Sequence, residues 1–86
     1  MTDKAERLKQ LAARIDDMIE TRRIDLIHQL ETEDSMKLTY KTTGGGIYTC
    51  RLAGITATAT SGEAQALCNW AAAARRAALK LEAEAT

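Results

Sequence analysis

From Asp3 to about Glu31, apolar residues return at steps of three and four: Leu8, Leu11, Ala12, Ile15, Met18 and Ile19. At 100° per residue they fill a band about 120° wide, the stripe of an amphipathic helix. Thr2 or Asp3 stands where a cap would start it. The phase then slips. Ile24 falls opposite Ile15, Ile27 falls outside the band, and Arg22 stands where the stripe needs an apolar residue. One unbroken helix here would be ~42 Å long, against a radius of gyration of ~12 Å for a compact chain of this size. The pattern therefore predicts a bend near Thr21–Arg23 and two helices, 3–20 and 23–31. The rival is one long helix that pairs with a partner, and no Gly or Pro marks a break.

From Ser35 the period becomes two. Met36, Leu38 and Tyr40 alternate with Lys37, Thr39 and Lys41, and Thr43-Gly44-Gly45-Gly46 follows as a turn. Ile47 to Ala53 reads as a second strand, with Tyr48, Cys50 and Leu52 on one face. Only an odd loop, such as Gly44–Gly46, makes that face continuous with the first strand. It sets Tyr40 beside Cys50 and Leu38 beside Leu52. Ala53-Gly54 turns the chain again, and Ile55, Ala57 and Ala59 alternate with threonines as a third strand. Thr60-Ser61-Gly62-Glu63 has the form of a capping box. The last helix is expected from about Ser61 to Glu82, burying Ala64, Leu67, Trp70, Ala71, Ala74, Ala78 and Leu81. Asn69, Arg76 and Lys80 lie opposite, and Ala83–Thr86 are expected to fray. The result is a single α+β domain over residues 1–86, a three-stranded antiparallel meander packed with two to three helices in the order (α)αβββα.

Composition narrows the function. Eighty-six residues are too few for two cores. Twelve Lys and Arg balance twelve Asp and Glu, so the chain as a whole is neither a basic nucleic-acid binder nor a strong acid. Aromatics are only Tyr40, Tyr48 and Trp70, and the abundant alanine implies close backbone packing. No run of 18 apolar residues offers a membrane span. The N-terminal MTDKAERLKQ lacks the apolar region of a signal peptide. Two cysteines are too few for a disulfide framework, so a cytoplasmic setting is expected.

No catalytic constellation can be assembled. His28 is the only imidazole, and it reads as a surface residue of the second helix, while Cys50 reads as core. One His and two Cys cannot furnish a metal site, and the glycine triplet lacks the Gly-Lys-Ser/Thr ending of a phosphate loop. No enzyme activity, cofactor or metal is expected. Cys68, at the edge of the last helix's stripe, is a candidate for an intermolecular disulfide and hence a homodimer.

Two surfaces carry information. Lys37, Thr39, Lys41, Thr49, Arg51, Thr56 and Thr58 should point outward from the sheet. Cations among hydroxyls suit phosphates, but this face has no aromatic for base stacking, and Lys also guards edge strands. Direct nucleic-acid binding is therefore not expected. The other surface is acidic. Between Asp16 and Asp34, seven carboxylates face only Arg22 and Arg23, a net of −5. Asp16, Asp17, Glu20, Glu31, Glu33 and Asp34 are the candidate partner-binding set. A row of carboxylates resembles a row of phosphates and could occupy a basic channel on another protein.

The segments TGGGIYTCRL at Thr43–Leu52, GITATATSG at Gly54–Gly62 and EAQALCNWAAAARR at Glu63–Arg76 carry a resemblance. With the size and element order, they resemble small phage- or prophage-encoded anti-CRISPR inhibitors of type I systems, most closely the type I-C group. The resemblance implies a stoichiometric inhibitor in the host bacterial cytoplasm. Its partner would be the RNA-guided surveillance (Cascade) complex, engaged by imitation of DNA. The alternatives are a small nucleic-acid-binding module using Lys37, Lys41 and Arg51, and a self-assembling phage regulatory or structural protein.

Overall fold

The computed structural model describes residues 3–42 and 45–85. Helices α1 (Asp3–Met18) and α2 (Arg23–Glu33) precede strands β1 (Lys37–Lys41), β2 (Ile47–Leu52) and β3 (Ile55–Ala59), and α3 (Glu63–Ala85) closes the chain. The strands form one antiparallel sheet in the order β1-β2-β3. The fold is α+β with the expected element order. The predicted cap at Thr2 lies outside the described residues, and Asp3 is already helical.

α3 is the spine. On one side it packs on β3 and β2, and on the other it packs on α1. Its alanines make this two-sided packing feasible, since Ala66, Ala71, Ala74 and Ala78 are fully buried and let neighbouring backbones approach closely. Trp70 and Leu67 fill the volume the alanines leave, while Ala64 and Leu81 are only half-buried. From α1 come Ala5, Leu8, Leu11, Ala12 and Ile15, the expected stripe with Ala5 added; Met18 and Ile19 are half-buried. α1 and α3 run antiparallel, for Lys9 pairs with Glu82 at 2.8 Å and Asp16 pairs with Arg75.

The bend between α1 and α2 falls where length required it, at Ile19–Arg22. It needs neither Gly nor Pro. Arg22 leaves the helical region at φ −135° and ψ 40°, and its carbonyl then accepts from Leu26 N at 2.8 Å to start α2. Folding α2 back buries Leu26 and Leu30, whereas Ile24 remains 80% exposed. After α2, Ser35 adopts a left-handed backbone at φ 58°. This lets Met36 N reach back to the Leu30 carbonyl at 3.1 Å and aims the chain into β1.

The sheet keeps the expected faces but not the expected register. Leu38 lies opposite Cys50 and Tyr40 opposite Tyr48, two positions away from the alignment a three-residue loop would give. A shift of two leaves every side chain on its own face, so burial of an apolar face cannot choose between the two. Side-chain fit does choose. The Tyr40 and Tyr48 rings meet with centroids 4.5 Å apart at a 45° tilt. Gly46, at φ +87°, runs so close beneath Tyr40 that a Cβ there would sit 2.8 Å from the phenolic oxygen. The connection is five residues long, 42–46. Of the predicted glycine turn, Thr43 and Gly44 lie outside the described residues.

Tyr40 itself is 52% exposed, contrary to its expected inward burial. α3 spans β3 and β2 but not β1, so the end of the edge strand overhangs the helical layer. The capping box is not formed either. α3 begins at Glu63, because a Thr60 cap would need Gly62 in the helical region and Gly62 stands at φ +147°. The first helical bond runs from Ala66 N to the Gly62 carbonyl at 3.1 Å. Of the Ala83–Thr86 segment expected to fray, Ala83–Ala85 are helical and Thr86 lies outside the described residues.

Candidate functional site

The six carboxylates of the acidic segment do not form one row. Asp34 and Glu33 end α2 against the N-terminal half of α1. There Arg7 Nη2 donates to Asp34 at 2.9 Å, and Arg14 lies 3.9 Å from both Asp34 and Glu33. Arg14 is also held by the side-chain carbonyl of Gln29. Asp16 is taken up by Arg75 across the α1–α3 interface. Among the described residues, only Asp17, Glu20 and Glu31 of the set have no ion-pair partner, and all three are exposed. Glu20 lines a shallow cleft at the α1–α2 corner together with Arg22, Arg23, Ile24 and Asp25. Arg23 is drawn from that corner to Glu63 at 3.4 Å. The acidic field is thus broken into a neutralised part and a free part.

The pairing that breaks it was hidden from helical-wheel reasoning. A wheel places charges around one helix, whereas Arg7, Arg14 and Arg75 reach their carboxylates across 27, 20 and 59 residues of chain. Two of the free carboxylates, Asp17 and Glu31, share a second property. The last turns of α1, α2 and α3 contain Asp16 and Asp17, Glu31 and Glu33, and Glu82 and Glu84, with no basic residue in any of them. A helix C-terminus carries partial negative charge and favours cations. Acids are therefore concentrated at the ends where they stabilise the fold least. Among the described residues, only Asp16, Glu33 and Glu82 recover this through ion pairs. The Glu82 hydrogen bond in turn holds the Lys9 ammonium above its usual pKa.

The thiols differ in kind. Cys50 is fully buried, with Sγ 3.8 Å from Met36 Sδ, and burial pushes its pKa up to about 12. Such a thiol is inert as a nucleophile at neutral pH. Cys68 is exposed on α3. His28 is exposed on α2, and among the described residues no hydrogen bond joins it to either sulfur. Among those residues no group of three His, Cys, Asp or Glu could hold a metal ion. No helix is long and apolar enough to cross a membrane.

The outward sheet face is coherent. Lys37 lies opposite Arg51, which lies opposite Thr56. Thr39, Thr49 and Thr58 form the next rung, and Lys41 with Ile47 the one beyond. Asn69, expected on the solvent side of α3, is half-buried and donates to the Thr58 carbonyl at 2.9 Å, tying α3 to the outer strand. No family model, curated protein or solved structure matches the chain.

Proposed function

We propose that the protein is a non-enzymatic inhibitor that acts by occupying a cationic groove on a protein partner. The partner class we assign is the type I CRISPR surveillance complex, whose basic channel would otherwise take up target DNA. Asp17, Glu20 and Glu31 are the docking carboxylates. Asp16, Glu33 and Asp34, which belong to the same acidic segment, are engaged by the protein's own arginines.

The observation that carries this reading is the gathering of acids at helix C-termini. Each such placement forgoes roughly 0.3–1 kcal/mol that a Lys or Arg would supply. Charges kept at a cost to the fold are charges with an external use, and a cationic partner would repay it on docking. The resemblance of Thr43–Arg76 to type I-C inhibitors supplies the partner class.

The test is competition. Purified type I-C surveillance complex is incubated with target duplex and increasing protein. Stoichiometric loss of DNA binding is expected, weakening as salt rises. The Asp17→Lys, Glu20→Lys, Glu31→Lys triple variant should lose inhibition at least tenfold while remaining folded. Undiminished inhibition by that variant overturns the acidic docking site, and absence of inhibition by the wild-type chain overturns the partner class.

A further inference from the structure

The twelve positive and twelve negative side chains cancel in number but not in space. From Ser35 to Gly62 the chain contains Lys37, Lys41 and Arg51 and no carboxylate at all. This segment is the sheet with its turns, so it carries +3 and the rest of the chain −3. Arg7, Lys9, Arg14, Arg23 and Arg75, all in helices, each meet a carboxylate. Among the described residues, Lys37, Lys41 and Arg51 meet none. Asp34 shares a shallow cleft with Lys37 and Arg51 at the sheet's rim, and it is already held by Arg7.

Protection of a sheet edge does not account for this arrangement. Lys37 and Lys41 are on the edge strand, where a charge discourages strand addition. Arg51 is on the central strand β2 and points from the same face. It stands directly opposite Lys37, and like charges so placed destabilise a sheet. Around them Thr39, Thr49, Thr56 and Thr58 present short hydroxyls that leave the face flat and can donate to anionic oxygens.

We infer that this open sheet face binds the phosphodiester backbone of a nucleic acid without reading its sequence. Lys37 and Lys41 stand four residues apart, about 13 Å along the strand. Over that length one strand of a duplex presents about four phosphates, a density that three cations and a hydroxyl ladder match and that the scattered carboxylates of a folded protein do not. Tyr40 and Tyr48 belong to the opposite face, so no base can stack here. Phosphate contacts need no aromatic, which is why the lack of one on this face does not exclude nucleic acid. This inference is independent of the acidic docking site, because it uses none of its residues.

The experiment is fluorescence anisotropy with labelled random-sequence duplex and single-stranded DNA between 50 and 200 mM salt. Three neutralised phosphates predict a slope of log affinity on log salt of about −2.7 for duplex and about −2.1 for single strand, a loss of roughly 20- to 40-fold over that range. Lys37→Gln, Lys41→Gln and Arg51→Gln should each lower the slope by nearly one unit, and the triple variant should bind at least tenfold more weakly. A control variant, Arg76→Gln with Lys80→Gln, which changes two exposed cations of α3, should bind as the wild type does. Thermal melting checks that the variants fold. Absence of binding at 50 mM salt overturns the inference, as does equal binding by the triple variant. So does displacement of the DNA by polyglutamate at equal charge concentration. If instead the triple variant abolishes a self-association seen by sedimentation, the face is taken by the acidic helices of a second copy, and the inference fails.

Discussion

The indole Nε1 of Trp70 donates to the Leu52 carbonyl at 3.0 Å, and the Ile55 carbonyl lies 3.1 Å from the same nitrogen. One buried side chain on α3 thus clamps both sides of the β2–β3 turn. Trp70→Phe keeps most of the apolar volume but removes the one donor that both carbonyls share. Loss of such a hydrogen bond costs about 0.5–1.5 kcal/mol. The expected outcome is a melting temperature lower by several degrees per kcal/mol. Trp70→Ala should cost about 3–5 kcal/mol. Calorimetry measures both. A Trp70→Phe protein as stable as the wild type would show that the clamp contributes nothing.

The turn it clamps is strained. Ala53 and Gly54 both have positive φ, 53° and 78°, the pairing a two-residue hairpin turn demands. Glycine suits this and alanine does not. Ala53→Asn keeps a side chain that tolerates the left-handed region and should stabilise the protein by about 0.5–1 kcal/mol. Chemical denaturation with an unchanged m-value is the measurement.

The acids at the helix ends make a prediction of opposite sign for fold and function. Asp17→Lys places a cation in the last turn of α1 and should raise stability by about 0.3–1 kcal/mol. The same substitution should weaken competition with target DNA for the surveillance complex. Parallel melting and competition assays read the two effects. A stability unchanged or lowered by Asp17→Lys would remove the energetic argument for an external role.

The two thiols should separate in reactivity and in pH dependence. Ellman's reagent at pH 8 should modify Cys68 rapidly and Cys50 only on unfolding. Burial raises the folded-state pKa of Cys50 from the usual value near 9 to about 12. The unfolded chain therefore loses this proton first as pH rises. The stability contributed by keeping the thiol neutral is complete below about pH 9 and is lost on the way to about pH 12. Cys50→Ala should flatten that part of the stability profile relative to the wild type. Under oxidising conditions a disulfide-linked dimer is expected, and Cys68→Ser should abolish it.

Periodicity carried the fold a long way. Leu8, Leu11, Ala12 and Ile15 in α1, and Leu67, Trp70, Ala71, Ala74 and Ala78 in α3, are buried as their spacing requires. The alternation of β1, β2 and β3 assigned every strand residue to its face. Where the sequence reading failed, the deciding quantity was not periodic. The two-residue register shift preserves alternation, so it depends on how Tyr40 meets Tyr48 and Gly46. Leu26 and Leu30 anchor α2, and the phase of Ile24 and Ile27 does not mark them. The break itself followed from the slip of phase at Arg22 and Ile24 together with length. The acidic row dissolved because ion pairs such as Asp16 with Arg75 depend on which helices become neighbours, which a linear charge count does not contain. The cationic sheet face survived intact because its members belong to adjacent strands joined by short turns.

The antiparallel contact of α1 with α3 also orders events in time. Lys9 meets Glu82 and Asp16 meets Arg75, so α1, synthesised before α3, finds its cover only when α3 exists. The meander between them can pair locally and early, but its inner face must wait for Trp70. A nascent chain therefore displays the greasy side of α1 until α3 has been synthesised. Any message truncated before α3 yields a product that quality-control proteases should recognise as unfinished.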